Sequence, residues 1–201
     1  MILPPEAAAV LLALAPAFSA PTFRRFTTLA LAALLTTGRR TVANLLRTLG
    51  ALAPGRRTSY QRVLSAARWD GLEAARNTCR QVLRRLPPDR PVTLVGDDTV
   101  DGHPGRRVYG KARHRDPVRS SHSYTAWRYG HKGVVVAALV PCPGAARPWA
   151  LPLLVDLYRG AEDNHRRRRP HRTPSPLLCR LLGVLLRWFP DRRFVFVGDA
   201  G

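Results

Sequence analysis

Three aspartates stand where short strands would present them to a ligand. Asp97 and Asp98 follow Val92, Leu94, Val95 and Gly96. Asp199 follows Phe194, Val195, Phe196, Val197 and Gly198. Both runs read as buried strands, with the acids at their C-terminal ends. The intervening order is insertion, strand, strand, helix. Such an order lets the first and last strands lie parallel, the helix supplying the crossover. The carboxylates would then meet at the sheet edge where open α/β sheets place ligands. Carboxylates gathered there repel unless a cation lies between them. Hard oxygen donors favour Mg2+ or Mn2+. Such ions activate an attacking oxygen and stabilise the leaving oxygen in phosphodiester chemistry. One strand-end aspartate is more often a turn residue or a helix cap. Two at matched positions favour the metal reading.

Composition narrows the substrate. The 201 residues include 33 Lys+Arg against 13 Asp+Glu, a net charge of +20. A polyanion, above all nucleic acid, is the expected partner, and a small neutral substrate is disfavoured. Lys111 and Lys132 are the only lysines, the other 31 basic residues being arginine. Drift toward GC-rich codons accounts for Arg in place of Lys, but not for so few acids. A hydrophobic content of 45% excludes wholesale disorder. Cys79, Cys142 and Cys179 have neither metal-ligand spacing nor the count of a disulfide framework, so free buried thiols are expected. The apolar residues 7–15 follow Glu6 and end at Pro16 without a basic leader, which argues against a signal peptide. No run approaches the roughly 20 apolar residues of a membrane span. The expectation is a cytoplasmic, nucleoid-associated protein with no membrane partner.

The elements change character near Pro87, Pro88 and Pro91. Residues 1–90 read as a helical region. Helices are expected over 26–35, over 42–49 with Gly50 closing, after Ser59 as N-cap, and from a capping box at Asp70 and Glu73. A plain bundle is favoured over a helix-turn-helix, because residues 50–58 make too long a turn. Residues 91–201 read as strands with one helix over 176–189, its apolar face formed by Leu178, Leu181, Leu182, Leu185 and Leu186. Residues 102–132 are basic and interleaved with Tyr109, Tyr124, Trp127 and Tyr129. A hairpin or loop that follows DNA phosphates is expected there, through Arg106, Arg107, Lys111, Arg113, Arg115 and Lys132. Trp127, just before a buried strand, is expected in the core. The spacing of His103, His114, His122 and His131 fits no zinc site. His131 suits either a strand cap or support of a carboxylate or phosphate. Arg166 to Arg169 read as a solvated loop.

These segments together resemble one family. Leu94, Val95, Gly96, Asp97, Asp98 and Thr99 resemble the first-carboxylate strand of bacterial insertion-sequence transposases with an RNase H-like, Asp-Asp-Glu (DDE) catalytic domain. Trp127, Gly130, His131 and Lys132 resemble the segment leading into that family's second strand. Trp149 to Leu153 resemble its third strand, and Phe194 to Gly201 its second-carboxylate strand. Thr41, Val42 and Ala43, with Ala67, Arg68, Trp69 and Asp70, resemble its N-terminal helical region. The likeness runs over about residues 23–201.

The resemblance implies an α+β chain: an N-terminal helical region at 1–90, able to bind DNA ends, then a partial RNase H-like mixed sheet with a crossover helix at 91–201. It implies Asp98 and Asp199 as metal-binding catalytic carboxylates, with Asp97 as an adjacent, secondary acid. It further implies Mg2+ or Mn2+, cleavage and strand transfer at insertion-sequence ends, and a homodimer on DNA. The family's third carboxylate, a Glu, lies well beyond the fourth strand. Here the glutamates are Glu6, Glu73 and Glu162, all before it. The expectation is therefore a fragment lacking the third carboxylate, inactive alone. Two rivals stand beside this: a non-catalytic DNA-binding remnant, and a Mg2+-dependent phosphatase of the haloacid dehalogenase type, with its first acidic motif at Asp97–Asp101 and its last at Asp199, although the Asp98 to Asp101 spacing is one residue too wide for that motif.

Overall fold

The computed structural model describes residues 4–103, 105 and 108–198. Asp199, Arg106 and Arg107 therefore lie outside the described residues. The chain forms two compact units, residues 1–81 and 82–201.

The first unit is helical because its apolar residues recur at helical spacing between good start and stop signals. The helices are α1 (Pro5–Leu12), α2 (Ala20–Leu35), α3 (Val42–Leu49), α4 (Arg57–Ser65) and α5 (Gly71–Leu83). Helix α2 begins six residues before the expected Phe26, since Pro21 in its first turn presets helical φ. Thr41 caps α3 by accepting the Asn44 N–H, and Gly50 at φ 53° ends it. Helix α4 starts at Arg57, so Ser59 is not its cap; the Ser59 N–H already bonds the Arg56 carbonyl. The capping box is half made. Asp70 Oδ1 accepts from Leu72 and Glu73 N–H at 2.9 and 3.0 Å, whereas Glu73 turns to Asn77. Leu29 and Ala32 of α2, Leu45 and Leu49 of α3, and Tyr60 and Val63 of α4 form one buried core. Burying each large member removes roughly 1.5–3 kcal/mol of apolar exposure.

The second unit is built on five strands: β1 (Val92–Gly102), β2 (Ala112–Arg115), β3 (Trp127–Val140), β4 (Trp149–Tyr158) and β5 (Phe194–Gly198). β1 is flanked by β3, antiparallel, and by β5, parallel. The other edge of β3 pairs with β2 and with β4, both antiparallel. Helices α6 (Ala161–Arg166) and α7 (Pro174–Trp188) lie between β4 and β5. This is the expected α+β class, with N-terminal helices followed by a mixed sheet and a crossover helix.

Local irregularities have local causes. Pro152 does not interrupt β4, because β4 is an edge strand and a bulge opposite Val136 and Ala137 absorbs the missing donor. Helix α7 packs on β3 and β4 through Leu177, Leu181 and Leu185. The stripe is shifted from the expected face, and Leu186 is exposed. Arg166 belongs to α6 rather than to a loop; Arg166 and Arg167 pair with Glu162 and Asp163 one turn back. Cys79 is buried, but Cys179 is exposed, against expectation. No helix among the described residues is long and apolar enough to cross a membrane.

Candidate active site

Side chains alternate between the two faces of a strand. On β1, Val92, Leu94, Gly96, Asp98 and Val100 share the inner, more buried face; Asp97, Thr99 and Asp101 share the outer one. On β3 the inner face carries Arg128, Gly130, Lys132, Val134 and Val136. The register pairs Asp98 with Val134 and Val100 with Lys132. Asp98 and Lys132 are thus diagonal neighbours on one face, and their ion pair closes to 2.9 Å. Both side chains are part-buried, 31% and 21% exposed.

The acids are not at a strand end as expected. β1 continues past them to Gly102, which pairs with Gly130. A Cβ on Gly130 would collide with the Asp101 carbonyl oxygen, so only glycine lets β3 approach this closely and extend the ladder. Gly96 has a related role: a Cβ there would press on Leu178 and on the Phe196 ring. On the other side of β1, the last described pair with β5 is Gly96 with Gly198. Asp97 and Asp98 lie just past it.

The two neighbouring acids diverge. Asp97 sits on the outer face, and its Oδ1 accepts the Asp98 N–H at 2.7 Å. Asp98 and Asp101 also face opposite ways, so they cannot form the paired acids of a haloacid dehalogenase-type site. Asp199 lies outside the described residues. Among the described residues, no three His, Cys, Asp or Glu side chains gather as a metal cage. Glu162 is 87% exposed and paired with Arg166 on α6.

Further groups line the inner face, and sequence reasoning missed their association. Asp156 and Tyr158 of β4 pair with Val134 and Lys132, so they share that face with Asp98. Asp156 is bound by Arg180 of α7. The Tyr158 ring lies 5.9 Å from Lys132 Nζ, between edge contacts with His114 and His171. His114 is buried and its Nε2 has no hydrogen-bond partner. Burial pushes its pKa below the ordinary value of 6.5, and the Lys132 charge adds to the push. The signal for Asp156 and Tyr158 was their two-residue spacing in an apolar strand. For His114 it was the alternation with Arg113 and Arg115.

The outer face of the β2–β3 ribbon is different. Register pairs Arg113 with Tyr129 and Arg115 with Trp127. The Arg113 guanidinium lies 4.3 Å from the Trp127 ring centroid. Trp127 is 51% exposed, not in the core as expected. Its odd position on β3 turns it away from the side packed by α7. Lys111 donates to the Gly105 carbonyl at 2.7 Å and lies over the Tyr129 ring. His131 Nε2 and the Tyr109 carbonyl are 2.8 Å apart, holding the preceding loop to β3. Lys132, a candidate DNA contact, is ion-paired with Asp98.

The sequence pattern of one family, described as DDE superfamily endonuclease, matches residues 13–201. No curated protein matches, and no solved structure does. The match spans nearly the whole chain, both helical unit and sheet, and it displaces the phosphatase alternative. The chain belongs to the DDE superfamily endonucleases, and transposase or endonuclease activity on DNA is its function at the level of that family.

Proposed function

We propose that the chain contributes Asp98 and Asp199 to a divalent-metal site for DNA cleavage and strand transfer at insertion-sequence ends. One observation carries this reading. β1 and β5 run as parallel neighbours with Gly96 opposite Gly198, and the acids, Asp97 and Asp98 on one side and Asp199 on the other, follow that last described pair in sequence. The donor chemistry fits a hard cation: Asp98 offers a part-exposed carboxylate that already has an ammonium against it. Mg2+ or Mn2+, when bound, supplies activation of the attacking oxygen and stabilisation of the leaving one. Asp97 is secondary, orienting the backbone of Asp98 through its hydrogen bond. The third carboxylate is left unassigned.

In this reading, Arg113 and Arg115 grip phosphates from the outer face of the ribbon, with Lys111, Arg106 and Arg107 beside them in sequence. Affinity then falls steeply with salt. The helical region at 1–90 holds the DNA end, and a homodimer forms on DNA. The test is Mg2+-dependent nicking of a DNA substrate bearing the element's ends. Asp98→Ala is expected to abolish nicking while leaving DNA binding within about twofold. Nicking that survives the substitution overturns the assignment.

A second reading is favoured by the neutralised state of Asp98: the chain binds DNA without cutting it. It is supported if wild type fails to nick and if binding is insensitive to chelator, to Asp98→Ala and to Asp199→Ala.

A further inference from the structure

We infer that Lys132 is a displaceable counter-ion for Asp98, which holds the carboxylate in place without metal and sets the metal concentration at which the site fills. The inference rests on the metal reading of Asp98 given above.

The argument begins with the inner face of β1 and β3. Leu94, Val134 and Val136 on that face are almost completely buried. A carboxylate beside them needs a partner. The strand register fixes Lys132 diagonally across from Asp98 and brings Nζ to 2.9 Å from Oδ1. A divalent ion taking that oxygen would meet the ammonium at short range, and like charges so close repel. Metal binding and the ion pair therefore compete at Oδ1.

The choice of cation points the same way. Of the 33 basic residues, 31 are arginine. The other carboxylates of this unit that are held on the sheet are held by arginine: Asp116 by Arg128 and Arg119, and Asp156 by Arg180. Arginine offers a fork that matches a carboxylate in two places and releases it reluctantly. Lysine is a single, strongly hydrated point charge on a flexible stem. It stands at the carboxylate that has to change partners. Val100, paired opposite Lys132, and the Tyr158 ring flank the aliphatic stem.

The test is direct Mn2+ binding, followed by electron paramagnetic resonance without DNA, on the 201-residue chain. Lys132→Met is expected to bind Mn2+ about fivefold or more tightly than wild type. Lys132→Arg is expected to bind it more weakly than wild type. Asp98→Asn is expected to lose the site. Loss in Asp98→Asn with equal affinity in the three other proteins overturns the inference and leaves the metal reading standing. Binding unchanged in Asp98→Asn overturns both.

A second measurement needs no folded variant at this position. Lys111 and Lys132 are the only lysines, so acetylation read by mass spectrometry reports each of them. Mg2+ should raise the labelling of Lys132 relative to Lys111, and should do so only while Asp98 is present. An unchanged ratio at saturating Mg2+ overturns the inference.

Discussion

The two faces of the β2–β3 ribbon use the same residue types to opposite ends. Inside, Arg128 and Lys132 are bound to Asp116 and Asp98, and His114 is buried between strands. Outside, Arg113 lies on Trp127, while Arg115, Trp127 and Tyr129 stay exposed. Residues one position apart differ in fate because strand side chains alternate. A cation turned inward must find a carboxylate, whereas one turned outward remains available to a polyanion. The inner face is thus expected to govern stability and metal, and the outer face DNA.

The largest expected effect tests the joint between the faces. Gly130→Ala drives a methyl into the Asp101 carbonyl and should cost about 3 kcal/mol or more in denaturant unfolding. A change below about 1 kcal/mol would mean that β3 does not approach β1 as described.

Asp116→Ala comes next. Its side chain is 8% exposed and faces Arg128 at 3.4 Å and Arg119 at 3.9 Å. Removal leaves a part-buried guanidinium unpaired and should cost about 2 kcal/mol, less than a fully buried pair because Arg128 keeps some water. A neutral effect would place Asp116 with the solvated charges instead.

His114 gives the inner face a pH signature. Its folded pKa lies below the ordinary 6.5, through burial first and the Lys132 charge second. As pH falls below that ordinary value, the unfolded chain takes up a proton that the folded chain refuses. Stability is therefore full above it and is lost toward acid, through the lowered folded pKa. His114→Phe should flatten that part of the stability–pH profile. An unchanged slope would place the acid sensitivity elsewhere.

The smallest stability effect is expected outside. Arg113→Ala with Arg115→Ala should change unfolding free energy by no more than about 0.5 kcal/mol. The same pair should reduce the salt slope of DNA binding by about 1.8, from two lost phosphate contacts. Unchanged slope with reduced stability would reverse the roles assigned to the faces.

Cys79 adds a control on the helical unit. Burial pushes its thiol up to about 12, so it should resist alkylation until unfolding, while the exposed Cys179 reacts at once.

Much of this was legible in the residues. Continuous apolar runs marked β1, β3 and β4, and helical spacing closed by Gly50 marked α3. The excess of arginine indicated a polyanion, and the two apolar runs that precede the aspartates marked the parallel neighbours β1 and β5. These features are local, and each is written within a few residues. The partners of those residues were not legible. Whether Asp98 sits at the end of a strand depends on how far β3 continues, which the close approach at Gly130 decides. Whether Trp127 is core depends on its parity on a strand that begins at Trp127 itself rather than after it. That Lys132 meets Asp98 depends on a register between strands some 30 residues apart. Composition and periodicity fix which elements form and which chemistry they carry. Register and packing join residues far apart in the chain, so only the tertiary structure decides which charge neutralises which.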